Sequence, residues 1–149
     1  MYDSYGQKCN HRFLLNYGFS VENNVEEDGF CPNEVPFLFH VDKKDAHYDR
    51  KCAMWQRDSF LPARRLRLAV ADNDNWRLAF AMCRIIGANG TDLDSIVDIY
   101  GPGSYRSVRD MQMPLNVQNE VRAWLVLKGI CEDYLSRYDE CVLEGVCDG

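Results

Sequence analysis

Apolar and polar positions alternate along two stretches of the chain. Val35, Phe37, Phe39 and Val41 interleave with Pro36, Leu38 and His40. A period of two predicts a strand, and Pro36 predicts that it lies at a sheet edge. His40 falls on the less apolar face and reads as a solvated histidine rather than a catalytic one. Leu66, Leu68 and Val70 interleave with Arg65, Arg67 and Ala69 and predict a second strand. The two can pair around the helix between them, and the pattern leaves parallel and antiparallel pairing open.

Helical spacing dominates elsewhere. In the opening stretch Asn10 can cap a short helix, with Phe13, Leu14 and Tyr17 as its buried stripe and Gly18 as its stop. Barely two turns long, it must dock on something larger. Residues 25–34 are acidic and turn-rich, which predicts a surface loop. Asp42 is expected to cap a helix running to about Phe60, ended by Pro62, with Tyr48, Cys52 and Trp55 on its buried side. Trp76, Ala79, Phe80, Cys83 and Ile86, flanked by Leu78, Met82 and Ile85, predict a helix apolar nearly all round, hence central. Gly87 and Gly90 close it. Thr91 and Asp94 have the spacing of a capping box for a short helix holding Leu93 and Ile96. The longest helix is expected from Asn116 to about Glu144. Its buried stripe would be Val117, Val121, Trp124, Cys131, Leu135, Tyr138 and Val142. Gly129 inside it costs about 1 kcal/mol against alanine.

Composition narrows the function classes. The 149 residues suffice for one domain, 46% hydrophobic and 27% charged, with a net charge of −6. Arg64, Arg65 and Arg67 are the one basic cluster, too short for an extended phosphate contact, so no nucleic-acid partner is expected. No apolar run approaches the ~20 residues of a membrane span, so no membrane partner is expected either. The seven cysteines form no C-x-x-C pair and read as reduced thiols of a cytoplasmic or nuclear protein. Asp72, Asn73, Asp74 and Asn75 lack the glycine and terminal glutamate of a calcium loop, so no metal is expected. Gly101-Pro102-Gly103 opens an irregular segment and makes a weak phosphate cradle.

The opening stretch is more specific than its periodicity. Ser4-Tyr5-Gly6, Asn10, Leu14-Leu15, Tyr17-Gly18-Phe19 and then Glu22-Asn23-Asn24 closely resemble the closing motif of SET-domain methyltransferases of the Rubisco large-subunit lysine methyltransferase type. Pro114-Leu115, Asn119-Glu120, Trp124, Leu127, Cys131, Leu135 and Tyr138 are similar to the last helix of that family's substrate-binding domain. The resemblance implies a mainly α fold: residues 1–24 as the end of a SET domain, residues 25–149 as a helical substrate-binding domain with a minor two-strand element. It implies methyl transfer from S-adenosylmethionine to a protein side chain, usually lysine; a histidine acceptor would demand a similar tyrosine-rich channel. Tyr5 would be the catalytic tyrosine that orients the acceptor, Tyr17 would line the acceptor channel, and Phe19 would form its aromatic wall. The protein substrate is then the expected partner.

In that family a glycine-containing cofactor loop and an Asn-His segment precede this motif. Met1 stands four residues before Tyr5, which leads to the expectation of a C-terminal portion, inactive in isolation. Residues 1–24 would then carry Phe13, Leu14, Leu15 and Phe19 exposed, or covered by self-association. The alternative is a stand-alone helical protein-interaction module without catalysis.

Overall fold

Both alternating stretches form strands, and they pair antiparallel. In the computed structural model, which describes residues 8–25, 33–69, 73–96 and 106–142, β1 (Glu34–His40) and β2 (Ala63–Ala69) face each other with Phe37 opposite Leu66 and Phe39 opposite Arg64. The Val41 N–H donates to Pro62 O, one step beyond the last ladder pair. Hydrogen-bonded and open pairs alternate along such a ladder. The odd-numbered residues of β1 therefore bond to β2, and Pro36, Leu38 and His40 turn their backbone groups outward. Pro36 falls where its missing N–H costs no ladder bond.

Around this sheet the chain is mainly α-helical: α1 (Asn10–Tyr17), α2 (Tyr48–Arg57), α3 (Asn73–Ile86), α4 (Gly90–Ser95), a 3-10 turn at Arg109–Gln112, and α5 (Val117–Val142). The helix α3 is central, as its apolar surface requires. It packs against α5, the 3-10 turn and both strands. Ala79, Ala81, Met82, Cys83 and Ile85 are buried there with Phe39, Trp55, Leu66 and Leu68 in one core.

Several local expectations are corrected. Asp42 does not start α2. Its carboxylate accepts the Lys44 N–H at 2.9 Å, and Asp45 accepts the His47 N–H at 2.7 Å, so two side-chain turns occupy the stretch where a first helical turn was expected. The capping box at α4 is Asn89 with Asp92, two residues ahead of the Thr91–Asp94 pair. Each bonds the other's backbone N–H, at 2.9 and 3.0 Å. Asn116 caps α5, accepting the Asn119 N–H at 2.8 Å.

The largest correction is rotational. The face of α5 that packs inward carries Asn119, Ala123 and Leu127, whereas Val117, Val121, Trp124, Leu125 and Leu135 are exposed. Close approach explains it. A Cβ at Gly87 would stand 3.1 Å from Arg122 Cβ, so α3 and α5 nearly touch, and alanine fits such a seam. Polar groups on the inward face complete it. Arg122 Nε donates to Gly87 O at 2.8 Å, and Asn119 Nδ2 to Arg84 O at 3.0 Å. The Trp124 ring meets the Phe80 ring edge-on at 4.5 Å.

Candidate functional site

The segment bearing the motif is built from asparagines and aromatic rings. Asn10 is the first residue of α1, not its cap; Cys9 holds that position without a side-chain bond. The Asn10 amide reaches forward instead, donating to Val21 O at 2.9 Å and accepting the Val21 N–H at 3.0 Å. Asn33 Oδ1 accepts both the Asn10 N–H (2.8 Å) and Asn24 Nδ2 (3.1 Å), and Asn24 Nδ2 also donates to Lys8 O. These bonds tie both flanks of α1 to the residue that precedes β1.

Gly18 ends α1 with φ of 77°, in the left-handed region where glycine carries no Cβ penalty, and its N–H donates to Leu14 O. The turn folds Phe19 back onto the helix. Phe13 stacks on Phe19 at 5.3 Å, with Tyr17 6.3 Å from Phe13 and 6.2 Å from Phe19. The structure thus brings Tyr17 and Phe19 together, 45% and 38% exposed. Phe13 is buried rather than exposed, since it forms the floor under the other two rings. Leu14 and Leu15 are exposed as expected of a packing surface, so Leu14 and Tyr17 do not belong to a buried stripe. Tyr5 lies outside the described residues, as does Gly101-Pro102-Gly103.

An aromatic face of this kind can receive an alkyl-amine side chain through its methylenes and, when charged, through the ring quadrupoles. Two carboxyls with lowered pKa values, Asp92 and Glu120, sit elsewhere, in a buried network between α3, α4 and α5. Arg84 grips Glu120 with two bonds, Nε to Oε2 at 2.7 Å and Nη2 to Oε1 at 2.9 Å, while its Nη1 donates to Met111 O and Gln112 O. The bond from Arg84 holds the Glu120 carboxyl below its ordinary 4.5 against the effect of burial. Burial pushes Asp92 up, but bonds from Asn116, the Asn89 N–H and Arg122 outweigh it and hold the carboxyl below 3.8. Every charge here has a partner, which marks a clamp rather than a reactive centre.

A pH dependence follows. A carboxylate whose folded pKa is depressed stabilises the fold fully above its unfolded value and loses that contribution as pH falls through the folded one. The unfolding free energy is therefore expected to stay flat from neutral pH to about pH 5 and to fall below pH 4.5, where unfolded glutamates take up protons first. Urea melts between pH 7 and 3 measure it. Stability that rises as the pH is lowered through that window would exclude the clamp.

Burial pushes the Cys83 thiol up to about 12, and burial with the nearby Glu132 raises Cys131. Both remain protonated and poor nucleophiles. Among the described residues no disulfide forms, no cluster of metal-binding side chains occurs, and no helix is long and apolar enough to cross a membrane.

One feature escaped the periodicity. A cleft of about 710 Å³ runs between β1 and α5, with Phe37, Ile130 and Tyr134 on its walls. Gly129 lines it, and a Cβ built there would meet nothing within 4 Å. A glycine inside a helix was its only signal in the sequence. Compared with known proteins, the chain matches no family model and no curated protein.

Proposed function

We propose that the chain belongs to an S-adenosylmethionine-dependent protein-lysine N-methyltransferase of the SET type, in which it binds the protein substrate and completes the methyl-acceptor channel. One observation carries this reading: Tyr17 and Phe19, which the motif resemblance assigns to the acceptor channel, form one exposed aromatic face on a buried Phe13 floor. That face suits the methylenes of a lysine side chain better than a cofactor. Its three rings supply no carboxylate for ribose hydroxyls, so this face by itself does not fit S-adenosylmethionine. The aromatic face is therefore assigned to the acceptor alone.

In this reading the Tyr5 hydroxyl oxygen orients the neutral amine by accepting a hydrogen bond from one of its N–H groups. Tyr17 and Phe19 exclude water and confine the methylenes, which keeps the nitrogen lone pair in line for attack. In the intact methyltransferase, Tyr5→Phe is expected to preserve the fold and lower kcat about 10²–10³-fold, the usual cost of deleting one positioned hydrogen-bonding group. Radiolabel transfer to a protein substrate measures it, and full activity in that variant would remove Tyr5 from the site.

The second reading, a helical protein-interaction module without catalysis, is favoured by the outward face of α5. There Pro114, Leu115, Val117, Val121 and Trp124 line an apolar groove of about 480 Å³. The two readings part on whether any protein containing this chain transfers methyl groups.

A further inference from the structure

The two outer edges of the sheet are treated differently. Along the end of β2, two outward carbonyls are covered by side chains of α3: Asn75 Nδ2 donates to Arg67 O at 3.0 Å and Trp76 Nε1 to Ala69 O at 2.8 Å. Along β1, Leu38 and His40 each turn one N–H and one C=O outward, and Pro36 turns out a C=O. Among the described residues no side chain covers these groups. An open strand edge is a template for another strand. It also borders the 710 Å³ cleft, where the Phe37 and Tyr134 rings meet at 5.2 Å.

Gly129 is the second, independent observation. Glycine inside an exposed helix costs about 1 kcal/mol, and nothing around it repays that through close packing. A Cβ at this position would point into open space within the cleft. The missing side chain leaves room for something that approaches α5 closely.

We propose that the β1 edge captures an extended segment of a partner protein as a third strand, with apolar residues at alternate positions and a lysine or arginine at one end. The backbone groups of Leu38 and His40 demand an extended chain, and Pro36 limits the ladder to five bonds: two donors and two acceptors from Leu38 and His40, and one acceptor from Pro36. The partner residue opposite Phe37 has its side chain on the inner face of the sheet, toward Tyr134, Ile130 and the space at Gly129. That position takes an apolar group. Asp45 beside His40 is paired with Lys51 at 2.7 Å and Asp133 with Arg137 at 2.6 Å, which leaves Asp42 as the cleft carboxylate without an ion pair among the described residues, so a basic residue suits the His40 end, away from Arg65. Strand capture rests on cleft, edge and glycine and is independent of methyl transfer.

The test uses the 149-residue chain and short fluorescein-labelled peptides that alternate valine and threonine, with lysine at either end. Fluorescence polarisation is expected to show saturable binding of at least one peptide. N-methylation of its alternate amides, which removes ladder donors, should weaken it at least tenfold, as should glutamate in place of lysine at 50 mM salt. Two protein variants keep the fold while altering the site. Gly129→Leu fills the cleft with a better helix former, and Leu38→Pro removes an outward N–H that β2 does not use. Each should keep the melting temperature within a few degrees yet weaken binding at least tenfold. Unchanged affinity in both variants, equal binding of the N-methylated peptide, or no binding at millimolar peptide would overturn the proposal. So would a wild-type dimer in sedimentation that Leu38→Pro dissociates, since the occupant would then be a second copy of the chain.

Discussion

Arg84→Ala is expected to destabilise the protein by about 3–5 kcal/mol, the typical loss when one member of a buried ion pair is removed. The guanidinium is 6% exposed and four of its N–H bonds reach partners on two other elements. Without it, Glu120 keeps its charge against a partly desolvated surface, and the carbonyls of Met111 and Gln112 lose their donor. The loss should divide unequally in a cycle: Arg84→Met combined with Glu120→Leu removes the stranded charge and recovers part of the stability. Urea unfolding at pH 7 measures both. A loss under 1 kcal/mol for Arg84→Ala would mean that apolar packing alone holds α3 against α5.

Trp55→Ala is expected to cost about 3–5 kcal/mol as well, for a different reason. The side chain is completely buried at the centre of the core, so its removal leaves a cavity that α2, the sheet and α3 cannot close without shifting. Trp55→Phe sharpens the test. The Trp55 indole N–H is buried without a hydrogen-bond partner among the described residues. Phenylalanine gives up ring volume but also removes that unsatisfied donor, so its cost should fall well below that of alanine. Equal losses for the two variants would show that the N–H has a partner after all. Trp124→Ala, on the outward face of α5, should cost far less than either.

The aromatic face at Tyr17 and Phe19 was half legible. The motif marks both residues, and Gly18 between them announces a turn. That Phe13 lies beneath them, however, depends on the left-handed Gly18 backbone and on the Asn10–Val21 bonds, which no periodicity contains. The β1–α5 cleft was legible only as an unexplained glycine. The open β1 edge needed two further facts, the ladder parity and the cover that Asn75 and Trp76 give to β2.

Local patterning by itself determined the strands at Val35–Val41 and Leu66–Ala69, the central helix through Ala79 and Ile85, and the long terminal helix. Each follows from side-chain spacing within a few turns, which the chain carries wherever it folds. Tertiary structure decided three things that spacing does not encode. It chose antiparallel pairing, because register depends on how Val41 meets Pro62. It started α2 at Tyr48, because the Asp42 and Asp45 carboxylates compete with the helix for backbone N–H groups. It turned α5 so that Asn119, Ala123 and Leu127 face inward while Trp124 faces out. Apolar periodicity ranks faces by hydrophobicity, but the seam with α3 at Gly87 is too narrow for large side chains and supplies carbonyls at Arg84 and Gly87 that polar groups must satisfy. Close approach and hydrogen-bond satisfaction outweighed hydrophobicity at that seam.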